Sequence, residues 1–149
     1  INFMHVAQVD QGTNKVNRVI VVRRDYCMTG GTVTQAATQT YCETMFGGGY
    51  NYYPVLSSTK GSAAIHQNYD AAKDLYYEDQ PFALWTLNET NGEWEAPVDF
   101  LDQNGTYTKQ SWDEGGATWF AKKVGDMDGN WWRWNKSTNA WEDTGSTSK

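Results

Sequence analysis

The sequence is short of aliphatic residues. Leu, Ile, Val and Phe together make 23 of its 149 residues. A fraction under about 20% with high net charge reads as disorder. Here the charge is only −6, from 12 basic and 18 acidic residues. The missing apolar mass is made up by 8 Trp and 9 Tyr, rings that each bury roughly 150–250 Å². The chain is therefore expected to fold around aromatic clusters rather than one aliphatic core. No run approaches the roughly 20 apolar residues of a membrane-spanning helix, and no apolar segment of signal-peptide type opens the chain. The acidic balance argues against a general nucleic-acid binder. Only two cysteines are present, Cys27 and Cys42. Two are too few for a disulfide framework or a zinc site. Two reduced, partly buried thiols are expected, with a single Cys27–Cys42 bridge as the alternative. Length places the chain at one domain or two very small ones.

What is present is a repeat. An apolar residue followed by Asp or Asn recurs, with a second large apolar residue seven positions after the first. Val9-Asp10 leads to Val16, Tyr69-Asp70 to Tyr76, Leu87-Asn88 to Trp94, Trp112-Asp113 to Trp119, and Trp134-Asn135 to Trp141. The spacing is that of a hairpin. The outer pair packs across two strands, and the Asx side chain accepts from backbone N–H groups in the turn. Five positions past the first apolar residue stand Asn14, Asp74, Gly92, Ala117 and Asn139. All but Ala117 tolerate the left-handed backbone that such loops need. Single hairpins are marginal in water, so these must stack on one another or on a partner.

The remaining elements follow from local pattern. Residues 16–22 are rich in β-branched side chains and read as the strand returning from the first hairpin. Residues 32–46 are the one helix candidate, capped by Thr32 or Thr34 and ended by Gly47. Its buried face is expected along Val33, Ala36, Ala37, Thr40, Tyr41 and Met45. Residues 47–64 read as a long loop. Asp128-Gly129 is a turn between residues 120–124 and 131–134. The fold class is thus mainly β: successive aromatic hairpins with one short helix. A boundary near residue 80 divides an N-terminal hairpin-and-helix region (1–80) from a Trp-rich region (81–149), unless the two form one continuous domain.

Candidate chemistry is sparse. His5 and His66 support no metal constellation. Asp126-Met127-Asp128-Gly129-Asn130 lacks the spacing of a calcium loop and reads as a tight turn. The acid pairs Asp113-Glu114 and Glu93/Glu95 are candidates for glycoside hydrolysis, but such acids usually face solvent. Gly47-Gly48-Gly49 follows a helix instead of opening one, which does not suit phosphate binding. No catalytic residue and no cofactor are assigned. The sharpest feature is Trp131-Trp132-x-Trp134. On a strand Trp132 and Trp134 share one face and Trp131 takes the other. These rings either form the core or, if exposed, contact a partner protein or a glycan.

Several blocks in order carry a resemblance. Met4-His5-Val6-Ala7-Gln8-Val9-Asp10 runs into Arg18-Val19-Ile20-Val21-Val22. Cys27 is followed by Tyr41-Cys42-Glu43-Thr44-Met45-Phe46-Gly47-Gly48. Then come Tyr69 to Tyr76, Trp85-Thr86-Leu87-Asn88 through Trp94-Glu95-Ala96-Pro97-Val98, and Ser111-Trp112-Asp113-Glu114 to Trp119. Over about residues 4–120 the chain resembles small virion structural proteins of marine tailed phages, cyanophages especially. Residues 121–149 have no match there and read as an added hairpin that selects the part of the virion bound. The resemblance implies a non-enzymatic virion protein, foremost a capsid decoration or surface protein. Its expected partners are capsid or other virion proteins or further copies of itself, with no nucleic acid and no membrane. The alternative is a tail-fibre or neck protein, or an adhesin that holds host glycan on Trp131, Trp132 or Trp134.

Overall fold

The computed structural model describes residues 1–102 and 104–149. In chain order the strands and helix are β1 (Phe3–Asp10), β2 (Val16–Arg23), β3 (Met28–Thr29), β4 (Thr32–Val33), α1 (Gln35–Phe46), β5 (Tyr50–Pro54), β6 (Asn68–Asp70), β7 (Leu75–Tyr77), β8 (Thr86–Asn88), β9 (Glu93–Glu95), β10 (Tyr107–Asp113), β11 (Thr118–Lys123), β12 (Trp132–Asn135) and β13 (Ala140–Asp143). The fold is mainly β, built of antiparallel hairpins, with one α-helix. It divides into two units: residues 1–80 with 87–94, and residues 81–86 with 95–149.

In the first unit β1 is the centre of a three-stranded sheet ordered β2-β1-β5. Successive side chains of a strand point to opposite faces, and both faces of β1 are covered. Met4 and Val6 join Val22, Cys27, Cys42 and Tyr52 on the helix side. Ala7 and Val9 join Val16, Tyr69 and Tyr76 on the other. Gln8 is buried among them and is fully employed. Its amide donates to the Tyr52 hydroxyl (3.0 Å) and its carbonyl accepts from Asn17 (2.6 Å). Such satisfaction is what lets a polar side chain enter a core.

The helix begins later than residue 32, because Thr32 and Val33 pair with Met28 and Thr29. Thr34 is the cap, its hydroxyl accepting from the Ala37 N–H at 3.1 Å. The buried face differs from the expected one. Thr38 and Cys42 are buried, while Met45 is 57% exposed. The Thr38 hydroxyl donates to the Thr34 carbonyl at 2.7 Å, which removes the penalty of burying it. Residues 50–54, expected within a loop, form β5 instead, with Tyr52 opposite Gln8 and Tyr53 opposite Ala7. The Gly- and Tyr-rich composition hides the alternation: Tyr52 goes to the helix-side core and Tyr53 to the other.

The repeat behaves as hairpins. Val9 lies opposite Val16, Tyr69 opposite Tyr76, Trp112 opposite Trp119 and Trp134 opposite Trp141. All five turn positions have positive φ: Asn14 57°, Asp74 48°, Gly92 77°, Ala117 51° and Asn139 53°. Ala117 thus adopts the left-handed backbone despite its Cβ. The Asp10 carboxylate accepts from Gly12 (2.8 Å) and Thr13 (2.9 Å). Asp70, Asn88 and Asn135 accept from turn amides in the same way. Asp113 departs and faces Arg133 at 3.5 Å. Gly92 has a second reason to be glycine. A Cβ there, or at Gly61, would overlap the Tyr76 carbonyl oxygen. The third hairpin therefore packs directly on the backbone of the second.

The second unit is a four-stranded antiparallel sheet in sequential order β10-β11-β12-β13. Its core is Trp112, Trp119 and Trp134, packed by Phe82, Trp85, Val98, Phe100 and Trp141. Residues 121–149 are not an appendage here. Ala121 and Lys122 complete β11, and Trp134 belongs to the core. Removing them cuts the sheet in half.

Candidate functional site

The aromatic face of the second unit is assembled by register. Trp112 faces Trp119, Ala121 faces Trp132, and Trp134 faces Trp141. Ring pairs run edge to face, with Trp112–Trp119 centroids 5.2 Å apart and Trp134–Trp141 5.4 Å. Such pairs add about 0.5–1.5 kcal/mol each beyond area burial. Indole N–H groups then fix the segments lying across the sheet. Trp119 donates to the Val98 carbonyl (2.7 Å), Trp141 to the Leu101 carbonyl (2.9 Å), and Trp112 to the Glu114 carboxylate (2.6 Å).

Trp132 and Trp134 share a face and Trp131 takes the other, as the alternation requires. Their exposure decides their use. Trp131 and Trp134 are each only 7% exposed. Trp134 is core, and Trp131 lies between the Lys122 and Lys149 ammonium groups, 4.8 and 4.9 Å from its ring centroid. Neither presents a free face for a glycan or a partner, because the unit has few aliphatic residues and spends its tryptophans on packing. Trp132 is half-buried, with Lys123 4.0 Å from its centroid and Tyr107 at 5.9 Å.

The other candidates are spread apart. Cys27 and Cys42 are free, fully buried thiols in one core cluster. Burial pushes both thiols up, Cys42 to about 12, with neighbouring Cys27 adding to the effect. Glu114 serves structure: besides the Trp112 indole it accepts from the Leu84 N–H at 2.9 Å. Asp113 faces Arg133. Asp126, Asp128 and Asn130 form a turn closed by the Gly129 N–H on the Asp126 carbonyl. Among the described residues, no group of three His, Cys, Asp or Glu is placed to hold a metal.

One cleft escaped the sequence reading. It lies in the first unit, has a volume of about 410 Å³, and is lined by Tyr53, Tyr69 and Tyr77 with Thr13, Asn14, Asn68, Asp70 and Ala71. Two of the repeat turns form its rim. The only signal in the sequence was the tyrosine content of residues 50–53 and 69–77, without any indication that the two meet. Backbone bonds hold the rim in place: the Tyr69 N–H donates to the Asn14 carbonyl and the Val16 N–H to the Gln67 carbonyl, both at 2.9 Å. Tyr53 and Tyr69 rings pack at 4.5 Å between centroids. The Tyr69 hydroxyl donates to Asp74 at 2.7 Å, and burial raises its pKa further above the usual tyrosine range. No family model, curated protein or solved structure matches the chain.

Proposed function

We propose that the chain is a non-enzymatic structural protein of a tailed-phage virion, an accessory or decoration protein on the capsid surface. One observation carries the reading beyond the resemblance. The first sheet is left uncovered at one end. Phe3 is 63% and Val21 59% exposed, at positions that alternate onto the same face as buried Ala7 and its partner Val19. Exposed apolar side chains continuous with a core face suit a protein whose packing is completed by a partner subunit. The partner is a capsid protein, another virion protein or a further copy of the chain. The net charge of −6 keeps decorated particles apart in solution.

The test is localisation on purified phage particles by cryo-EM, with wild type compared to a Phe3→Ser, Val21→Asp double variant. Many copies over the head, lost in the variant while its circular dichroism is unchanged, are expected. Absence of the protein from purified particles refutes the proposal. A few copies at the tail would move it to the fibre.

A further inference from the structure

The tyrosine cleft of the first unit has polar groups that the fold does not use. The Asn14 side-chain amide and the Tyr53 and Tyr77 hydroxyls have no hydrogen-bond partner among the described residues, whereas most of their neighbours do. Asn68 is committed to Asp79 at 2.8 Å and to the Tyr77 carbonyl at 3.3 Å. Asp70 receives the Lys73 N–H on one oxygen (3.3 Å), and the Lys73 ammonium lies 3.8 Å from the other.

The field around the cleft is close to neutral. Lys15 pairs with Asp79 at 2.6 Å, and Lys73 pairs with Glu89 at 2.5 Å. Among the described residues no unpaired cation lines the cleft to attract an anion, and one carboxylate alone does not hold a metal. What remains is a largely polar lining in which amide, hydroxyl and carboxylate groups stand beside three tyrosine rings. Pockets for small molecules run from about 300 Å³ upward, mostly with a few placed polar groups on an apolar floor. At about 410 Å³ the cleft has room for one or two pyranose rings but not a long chain. A sugar offers an apolar C–H face to tyrosine rings and hydroxyls that both donate and accept. Asn and Tyr side chains match both roles.

We propose that this cleft is a binding site for a neutral carbohydrate, with Tyr53 and Tyr77 as the contacting rings and Asn14 and Asp70 as the groups that read ring hydroxyls. The site is independent of the virion reading and needs none of the tryptophans of the second unit. Affinity in the millimolar range for a single sugar ring is expected, since few groups contact so small a ligand.

The experiment is a proton–nitrogen NMR titration of the whole chain. The probes are the methyl glycosides of glucose, galactose, mannose and N-acetylglucosamine, with sialic acid as a charged comparison. Saturable shifts of the Asn14, Asp70 and Ala71 amides with at least one neutral glycoside are expected. Asn14→Gly keeps the left-handed turn and removes the amide, and Tyr77→Phe keeps the ring and removes the hydroxyl. Each should weaken binding about tenfold, in line with an unpaired buried polar group on the ligand. Trp132→Ala should bind as wild type does. Shifts with sialic acid alone, no saturable shift with any neutral glycoside, or cleft variants that both bind as wild type does would overturn the assignment.

Discussion

Two tyrosines that face each other across one hairpin should respond to the same substitution with opposite signs. Tyr69 and Tyr76 are register partners with ring centroids 4.2 Å apart. The Tyr69 hydroxyl donates to an Asp74 carboxylate oxygen at 2.7 Å. The Tyr76 hydroxyl is buried with no partner among the described residues. A hydrogen bond to a charged acceptor contributes about 1.5–3 kcal/mol, and a buried unsatisfied hydroxyl costs about 1–3 kcal/mol. Tyr69→Phe should therefore destabilise the first unit by about 2 kcal/mol, leaving Asp74 with the Thr59 hydroxyl at 2.9 Å. Tyr76→Phe should stabilise it by about 1 kcal/mol, reduced by the small void that the oxygen leaves. With a urea slope of roughly 1–3 kcal/mol per molar, the two midpoints should separate by about 1 M or more. Seven of the 8 tryptophans lie in the second unit, so bulk fluorescence reports on the wrong unit. Amide exchange of β1, buried on both faces, reads the first unit directly. A Tyr76→Phe variant that lost about 1 kcal/mol or more would refute the reasoning, because its hydroxyl would then have a partner.

Other consequences follow from the same geometry. Gly92→Ala should cost about 2–4 kcal/mol, from strain at positive φ and overlap with the Tyr76 carbonyl, seen as lost protection in β6 and β7. A neutral outcome would show that the third hairpin does not rest there. Native Cys27 and Cys42 should resist iodoacetamide near neutral pH and react once unfolded, because burial raises both thiols and the thiolate is the nucleophile. Rapid native labelling followed by mass spectrometry would contradict it. Asp10 sits below the usual carboxylate range, through the Thr13 and then the Gly12 amide. Its folded pKa is depressed, so its contribution to the turn is present above the unfolded value of about 3.9 and is lost as pH falls through the folded value. The Gly12 and Thr13 amide shifts should titrate in that acid range, and flat shifts would refute it. Thr34→Ala should lower helix stability by about 1 kcal/mol, measurable as faster amide exchange at Ala37.

The hairpins were legible because a turn is a local object. Apolar, Asx, three residues and a left-handed position are set by neighbours in the chain, and even Ala117 obeyed the spacing against its own preference. The strand of residues 16–22 and the capped helix were legible for the same reason. What only the tertiary structure decided depends on residues far apart. β5 becomes a strand because β1 offers it an edge, and no alternation in residues 47–64 announces that. The helix buries Thr38 and Cys42 because the sheet below needs small side chains and a back-bonded hydroxyl is cheap to bury. Trp134 became core, and Trp131 was buried beside two lysines, because the second unit has little else to pack. Residues 121–149 became half of a sheet by pairing with a strand that precedes them. The tyrosine cleft exists because two hairpin turns meet β5, and contact between segments so separated in the chain leaves no mark in either one alone.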